Sequence, residues 1–185
     1  HQVPKDIVVL LDEAYCDYAA SDPEYPDGVA YLKSFENLIV LRTFSKAYGL
    51  AGLRVGYAVA SASIIQTLMK IKLVFNVSLP AQAAALAALQ DPGHVQKTLA
   101  QNRHVLSELY KFFEKHGLDY VKSYANFVFV NFGGPVDAVV SHLSHEGIFI
   151  TPGTVWGFDT WGRISTGSDD AMNALMAALD RYYSD

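Results

Sequence analysis

The sequence predicts an α/β fold: part of a large domain with a mainly parallel sheet and helices, then a small α+β domain. Three observations carry this. Ile7-Val8-Val9-Leu10-Leu11 has no polar alternation and breaks into Asp12-Glu13, as a parallel strand covered on both faces does. Leu38 to Leu41 repeats the pattern and ends in Arg42-Thr43-Phe44-Ser45-Lys46. Past Asp91-Pro92-Gly93 the period becomes helical and the strands become short.

A third strand is expected over Val55 to Ala60. Ser61 can cap a helix over Ala62 to Leu73, and Pro80 suits the first turn of another over Ala81 to Leu89. Val95, Leu99, Leu106, Leu109 and Phe113 then recur at helical spacing until Gly117, which reads as a long connecting helix. Beyond it come a strand at Phe127 to Phe132, a helix at Val136 to Glu146 ended by Gly147, and short strands near Ile148 to Ile150 and Arg163 to Thr166. A last helix, Asp169 to Tyr183, puts Ala171, Leu175, Ala178, Leu179 and Tyr182 on one face. The expected division is 1–91 for part of the sheet domain and 92–185 for the small domain with its connecting helix. No internal repeat or low-complexity segment is evident.

Composition narrows the function classes. Of 185 residues, 51% are hydrophobic and 18% charged, which supplies a core and excludes a disordered chain. The net charge is −5 and no run of like charge offers a stripe for phosphate backbones, so nucleic acid is not an expected partner. Apolar runs fall far short of the ~20 residues of a membrane span, and the start does not have the pattern of a signal peptide. The single cysteine, Cys16, has no partner in the chain, and six scattered histidines make no ligand spacing. A reducing, cytoplasmic setting and no metal are expected.

The chemistry concentrates at the carboxyl ends of the first two strands, where open α/β sheets bind ligands. Thr43 to Tyr57 combines hydroxyls, one lysine, glycines and Arg54. A lysine amine beside apolar groups can form a Schiff base with an aldehyde, while hydroxyls and an arginine suit a phosphate dianion. Pyridoxal phosphate carries both groups. A Ser45-Lys46 hydrolase dyad ranks lower because adjacent side chains rarely converge, and Gly49, Gly52 and Gly56 do not spell a dinucleotide loop. Asp12 is suited to a pyridinium nitrogen and Tyr15 to the ring's phenolic oxygen; a helix cap and a packing ring are the plainer readings of the two.

These residues resemble the histidinol-phosphate aminotransferase family, among the fold-type I pyridoxal-phosphate enzymes. The likeness runs through Leu11-Asp12-Glu13-Ala14-Tyr15, through Leu41 to Tyr57, and through Phe75-Asn76-Val77-Ser78 with Gln82-Ala83-Ala84-Ala85. It continues in Ala125-Asn126-Phe127-Val128 and Gly162-Arg163-Ile164-Ser165-Thr166-Gly167. It implies Lys46 as the Schiff-base lysine and Asp12 and Tyr15 as ring partners. Ser45 and Arg54 then hold the cofactor phosphate, with Thr43 as a further candidate, and Arg163 binds a substrate carboxylate through paired hydrogen bonds. It implies transamination with glutamate as donor, and a homodimer. A decarboxylase or lyase of the same fold, or a non-catalytic partner-binding fragment, are the alternatives.

Two departures add expectations. Thr151 stands where the family usually carries an arginine that grips the substrate phosphate, and Pro152 to Gly157 resembles the loop of general class I/II aminotransferases. This predicts an unphosphorylated amino acid as substrate, aromatic or apolar, with Trp156, Phe158 and Trp161 lining its pocket. The family's chains also have a substantial segment before the Asp12 strand that contributes to the cofactor site. A missing amino-terminal half, in the same or a separate polypeptide, is therefore expected to complete this chain. Without sheet neighbours the first strand would expose apolar faces.

Overall fold

A computed structural model describes residues 3–184. The chain divides into two compact units, His1–Lys97 and Thr98–Asp185. In the first unit, β1 (Val9–Asp12), α1 (Cys16–Ala19), α2 (Gly28–Tyr31), β2 (Leu38–Thr43), β3 (Gly56–Ala60), α3 (Ala62–Ile71) and α4 (Leu79–Leu89) follow in order. The strand order is β1-β2-β3. β1 and β2 are parallel, with Val9 opposite Leu38 and Asp12 opposite Leu41. Both therefore end on the same edge.

β3 corrects the expectation of a mainly parallel sheet, because it pairs antiparallel with β2, Thr43 opposite Gly56. The connection explains the difference. Residues 13–37 contain two short helices and carry the chain back across the sheet, whereas residues 44–55 hold only the 3₁₀ turn Ala51–Leu53. A parallel return needs a long crossover; a short loop gives an antiparallel neighbour. The expected burial of the first strand on both faces is also not found: Leu10 is 64% exposed and β1 is the edge of the three described strands. Leu38, Ile39 and Val40 of β2 are buried instead.

Ser61 occupies the cap position of α3 without capping it; its hydroxyl donates to the Glu36 carbonyl at 3.1 Å. Ser78 caps α4 by accepting from the Ala81 N–H, with Pro80 in the first turn. α3 has no fully buried residue; Ile64 and Ile65 are half-buried, while Leu68, Met69 and Ile71 are exposed.

The unit division falls within α5 (Pro92–Lys115). The second unit continues with β4 (Tyr120–Val121), β5 (Phe127–Asn131), α6 (Val136–His145), β6 (Thr151–Pro152), β7 (Trp161–Ser165) and α7 (Asp169–Ser184). Its sheet, in the order β4-β5-β7-β6, is antiparallel throughout. Val128, Val130 and Ile164 alternate into one core with Leu109 and Phe113 of α5, Val139 and Leu143 of α6, and Leu175 and Leu179 of α7. The strand expected at Ile148 to Ile150 forms instead at Thr151–Pro152. Gly147 takes φ +74°, the Ile148 N–H returns to the Leu143 carbonyl to close α6, and pairing begins only at Thr151. Among the described residues, no helix is long and apolar enough to cross a membrane and no cluster of side chains suits a metal ion.

Candidate active site

The loop after β2 is shaped by alternating anchors. Phe44 and Ala47 are buried, so the intervening Ser45 and Lys46 stay at the sheet edge, half-buried. The Leu50 N–H closes the loop onto the Phe44 carbonyl at 2.9 Å, and Gly49 turns it at φ +71°. The Thr43 hydroxyl accepts from the Ser45 N–H at 3.0 Å and faces the Val55 carbonyl at 3.5 Å, so it builds the turn. Gly56 is required by close approach: a Cβ there would lie 2.8 Å from the Arg42 carbonyl oxygen.

Lys46 and Tyr15 come together, with Nζ 5.1 Å from the phenol ring centroid. Asp12 lies at the exposed end of β1, its Oδ1 accepting from the Ala14 N–H at 3.0 Å, and this turn leads into Tyr15 at the start of α1. Arg54 adopts φ +54° after the 3₁₀ turn, a left-handed conformation that costs a non-glycine residue about 1 kcal/mol or more. Its Nη1 donates to the Ala51 carbonyl at 2.7 Å, and the residue is exposed.

Sequence reasoning passed over the ion pair behind these residues. Glu13 is 4% exposed, and its Oε2 accepts from Arg42 Nε at 2.8 Å and Nη2 at 2.7 Å. Its Oε1 accepts from the Gly28 N–H at 2.8 Å, while Arg42 Nη2 also reaches Asp27 Oδ1 at 2.7 Å. Burial opposes the Arg42 charge, yet hydrogen bonding to Glu13, the charges of Cys16 and Glu13 and a hydrogen bond to Tyr57 together outweigh it and raise the guanidinium above its usual range. Around the pair, burial and then the Glu13 charge push Tyr25 up to about 12, and burial with the Asp17 charge raises the Cys16 thiol. The available signal was opposite charge at the ends of adjacent strands.

Arg163 lies in the second unit. β7 pairs it with Phe129 on one side and Thr151 on the other, so the three share the sheet face opposite the core. Its guanidinium lies 5.3 Å from the Phe127 ring centroid and 5.7 Å from that of Trp156. Its Nε is buried with no hydrogen-bond partner among the described residues. Phe129, which the sequence reading did not single out, centres the aromatic group, 5.1 Å from Trp161, 5.5 Å from Phe158 and 6.1 Å from Trp156. Buried Asn102 ties the neighbouring segments together, donating to the Ala125 carbonyl at 3.1 Å and accepting from the Thr166 hydroxyl at 2.8 Å.

Comparison with known proteins fits this arrangement. Residues 2–179 match the family described as aminotransferase class I and II. The chain is 45% identical over 177 residues to a histidinol-phosphate aminotransferase of Caldicellulosiruptor saccharolyticus, covering 96% of this chain and 49% of the relative. It is 40% identical to that of Anoxybacillus flavithermus, covering 97% and 48%. A crystal structure of histidinol-phosphate aminotransferase from Sinorhizobium meliloti in complex with pyridoxal-5′-phosphate superposes with a TM-score of 0.87 at 36% identity, covering 97% of this chain and 49% of that one. The chain thus spans about half the length of the relatives it matches. With a lysine and a phenol brought together at the sheet edge, a carboxylate at the end of the adjacent strand, and the match extending over nearly every residue, the chain belongs to the class I and II aminotransferases.

Proposed function

We propose that the complete protein is a cytoplasmic, homodimeric, pyridoxal-phosphate-dependent aminotransferase that moves an amino group between an amino acid or amine and a keto acid. The observation that carries this reading is the Lys46 amine held 5.1 Å over the Tyr15 ring, beside the Asp12 end of a parallel strand. This donor set fits the cofactor: an amine for its aldehyde, a carboxylate for its ring nitrogen, a phenol for its ring oxygen, and Ser45 and Arg54 for its phosphate. When bound, pyridoxal phosphate supplies an aldehyde for amine exchange and a ring that accepts electrons.

The chain's own residues do the rest. Lys46 Nζ would hold the cofactor at its aldehyde and, as a free amine, would move the proton at the substrate's α-carbon. Asp12 holds the proton at the ring nitrogen. Tyr15 donates to the ring oxygen, and the Thr43 turn sets the Ser45 backbone from which the phosphate is held. Arg163 binds the substrate carboxylate. Its unpartnered Nε supports that role, since leaving such a buried donor unsatisfied costs about 1–3 kcal/mol and a carboxylate satisfies it.

A more specific reading of the substrate rests on Thr151, directly paired with Arg163. An arginine there would place a second cation on the same face. Threonine forgoes a charge-assisted contact worth about 1.5–3 kcal/mol, and Trp156, Phe158 and Phe129 offer an aromatic wall instead. We therefore expect the complete enzyme to favour an unphosphorylated aromatic or apolar amino acid over histidinol phosphate. Measuring kcat/KM for phenylalanine, leucine and histidinol phosphate with 2-oxoglutarate tests this, with Thr151→Arg expected to raise histidinol phosphate in the ranking. Histidinol phosphate as the best substrate of the parent enzyme would contradict the specificity. Absence of amino transfer from every donor would contradict the activity.

A further inference from the structure

We propose that the buried Glu13–Arg42 link is a positioning device: it fixes the chain carrying Asp12 and Tyr15 against the chain carrying Lys46. The claim rests on the reading of Lys46 as the reactive amine.

The link sits where the two parallel strands end. Asp12 pairs with Leu41, and the Glu13 N–H continues the ladder to the Leu41 carbonyl at 2.9 Å. After that the backbones part, one into α1 and the other into the Lys46 loop. The Glu13 carboxylate bonds the Arg42 fork through one oxygen and the Gly28 N–H through the other, while Asp27 takes a further Arg42 hydrogen. A buried carboxylate is tolerated only when it is paired, and a guanidinium fork accepts few geometries. The link therefore holds the two departing segments in one relation, and Lys46 Nζ over the Tyr15 ring is the spacing that results. Two nearby features follow from the same purpose. A Cβ at Gly28 would collide with Glu13 Oε1 and lie 2.6 Å from Leu11 Cδ2, so the position admits no side chain while the carboxylate is in place. Asp27, at the cap of α2, also accepts from the Val29 N–H at 3.1 Å, which anchors the outer end of the link to a helix start.

The test uses the complete enzyme. With the cofactor removed, labelling of Lys46 by an amine-reactive reagent, measured by peptide mapping against exposed Lys111, reads the position of the amine without turnover. Glu13→Gln removes the charge and keeps the shape; Arg42→Lys keeps the charge and removes the planar fork. Each should change the Lys46:Lys111 labelling ratio about threefold or more and weaken pyridoxal phosphate binding about tenfold. The double variant should be no worse than the worse single, because both break one link. If either single variant fails to fold, Gly28→Ala, which displaces the Glu13 carboxylate, provides the same comparison. A labelling ratio and cofactor affinity within about twofold of the parent, with only the melting temperature lowered, would overturn the proposal, as would additive losses in the double variant. A parent enzyme that binds no pyridoxal phosphate would defeat the functional reading, yet the labelling ratio would still decide the positioning claim.

Discussion

Asp12 and Glu13 are adjacent carboxylates with opposite surroundings, one exposed at a strand end and the other almost wholly buried against Arg42. That contrast divides their work. Glu13 is committed to the fold, whereas Asp12 is available to a ring nitrogen. In the complete enzyme Asp12→Asn should retain pyridoxal phosphate, because Lys46, Ser45 and Arg54 still hold it, and should lose activity about 10²-fold or more, because an amide does not keep the ring protonated. Cofactor absorbance and steady-state rates check both halves; near-normal turnover would remove Asp12 from the mechanism. The candidate residues in the first unit came from residue type, spacing and the family likeness, and of these the structure brings Lys46 and Tyr15 together. The Glu13–Arg42 pair was not, since burial depends on which strands are neighbours, and neither were Phe127 and Phe129 beside Arg163, which depend on the register of β5 with β7.

Helix and strand existence followed the apolar periods closely, and the failures trace to turns. The β2–β3 loop is too short and helix-poor for a crossover, so β3 runs antiparallel. Residues after Gly147 close α6 before they pair, so β6 starts late. Short pieces such as α1, α2 and β4 have too few residues to show a period. Between α5 and α7, Asp180 accepts from Lys115 at 2.9 Å and lies 2.7 Å from His116. Hydrogen bonds from Lys115, then His116, hold its carboxyl below the usual carboxylate range. A depressed folded pKa adds stability above the unfolded pKa, and the contribution disappears as pH falls through the folded value. Asp180→Asn should therefore lower the melting temperature near neutral pH, with the difference from the parent closing below about pH 4, where the unfolded carboxyl begins to protonate. A difference that stayed constant into acid would show that the charge is not the cause.

At the scale of the whole molecule, apolar side chains lie open along β1 and from Ile71 to Leu79, with Phe75 94% exposed at φ +60°. Exposed apolar surface on this scale marks faces that other protein covers, in keeping with a chain that spans about half of its relatives. We expect the complete protein to sediment as a homodimer, the closed symmetric assembly most common among soluble oligomers; a monomer that turns over substrate would contradict this. The central claim is that Lys46 carries the cofactor. The complete protein, loaded with pyridoxal phosphate, reduced with borohydride and digested, should yield the cofactor on the peptide containing Lys46 and on no other. Its recovery on Lys70, Lys72 or another lysine, with Lys46 unmodified, would contradict the account.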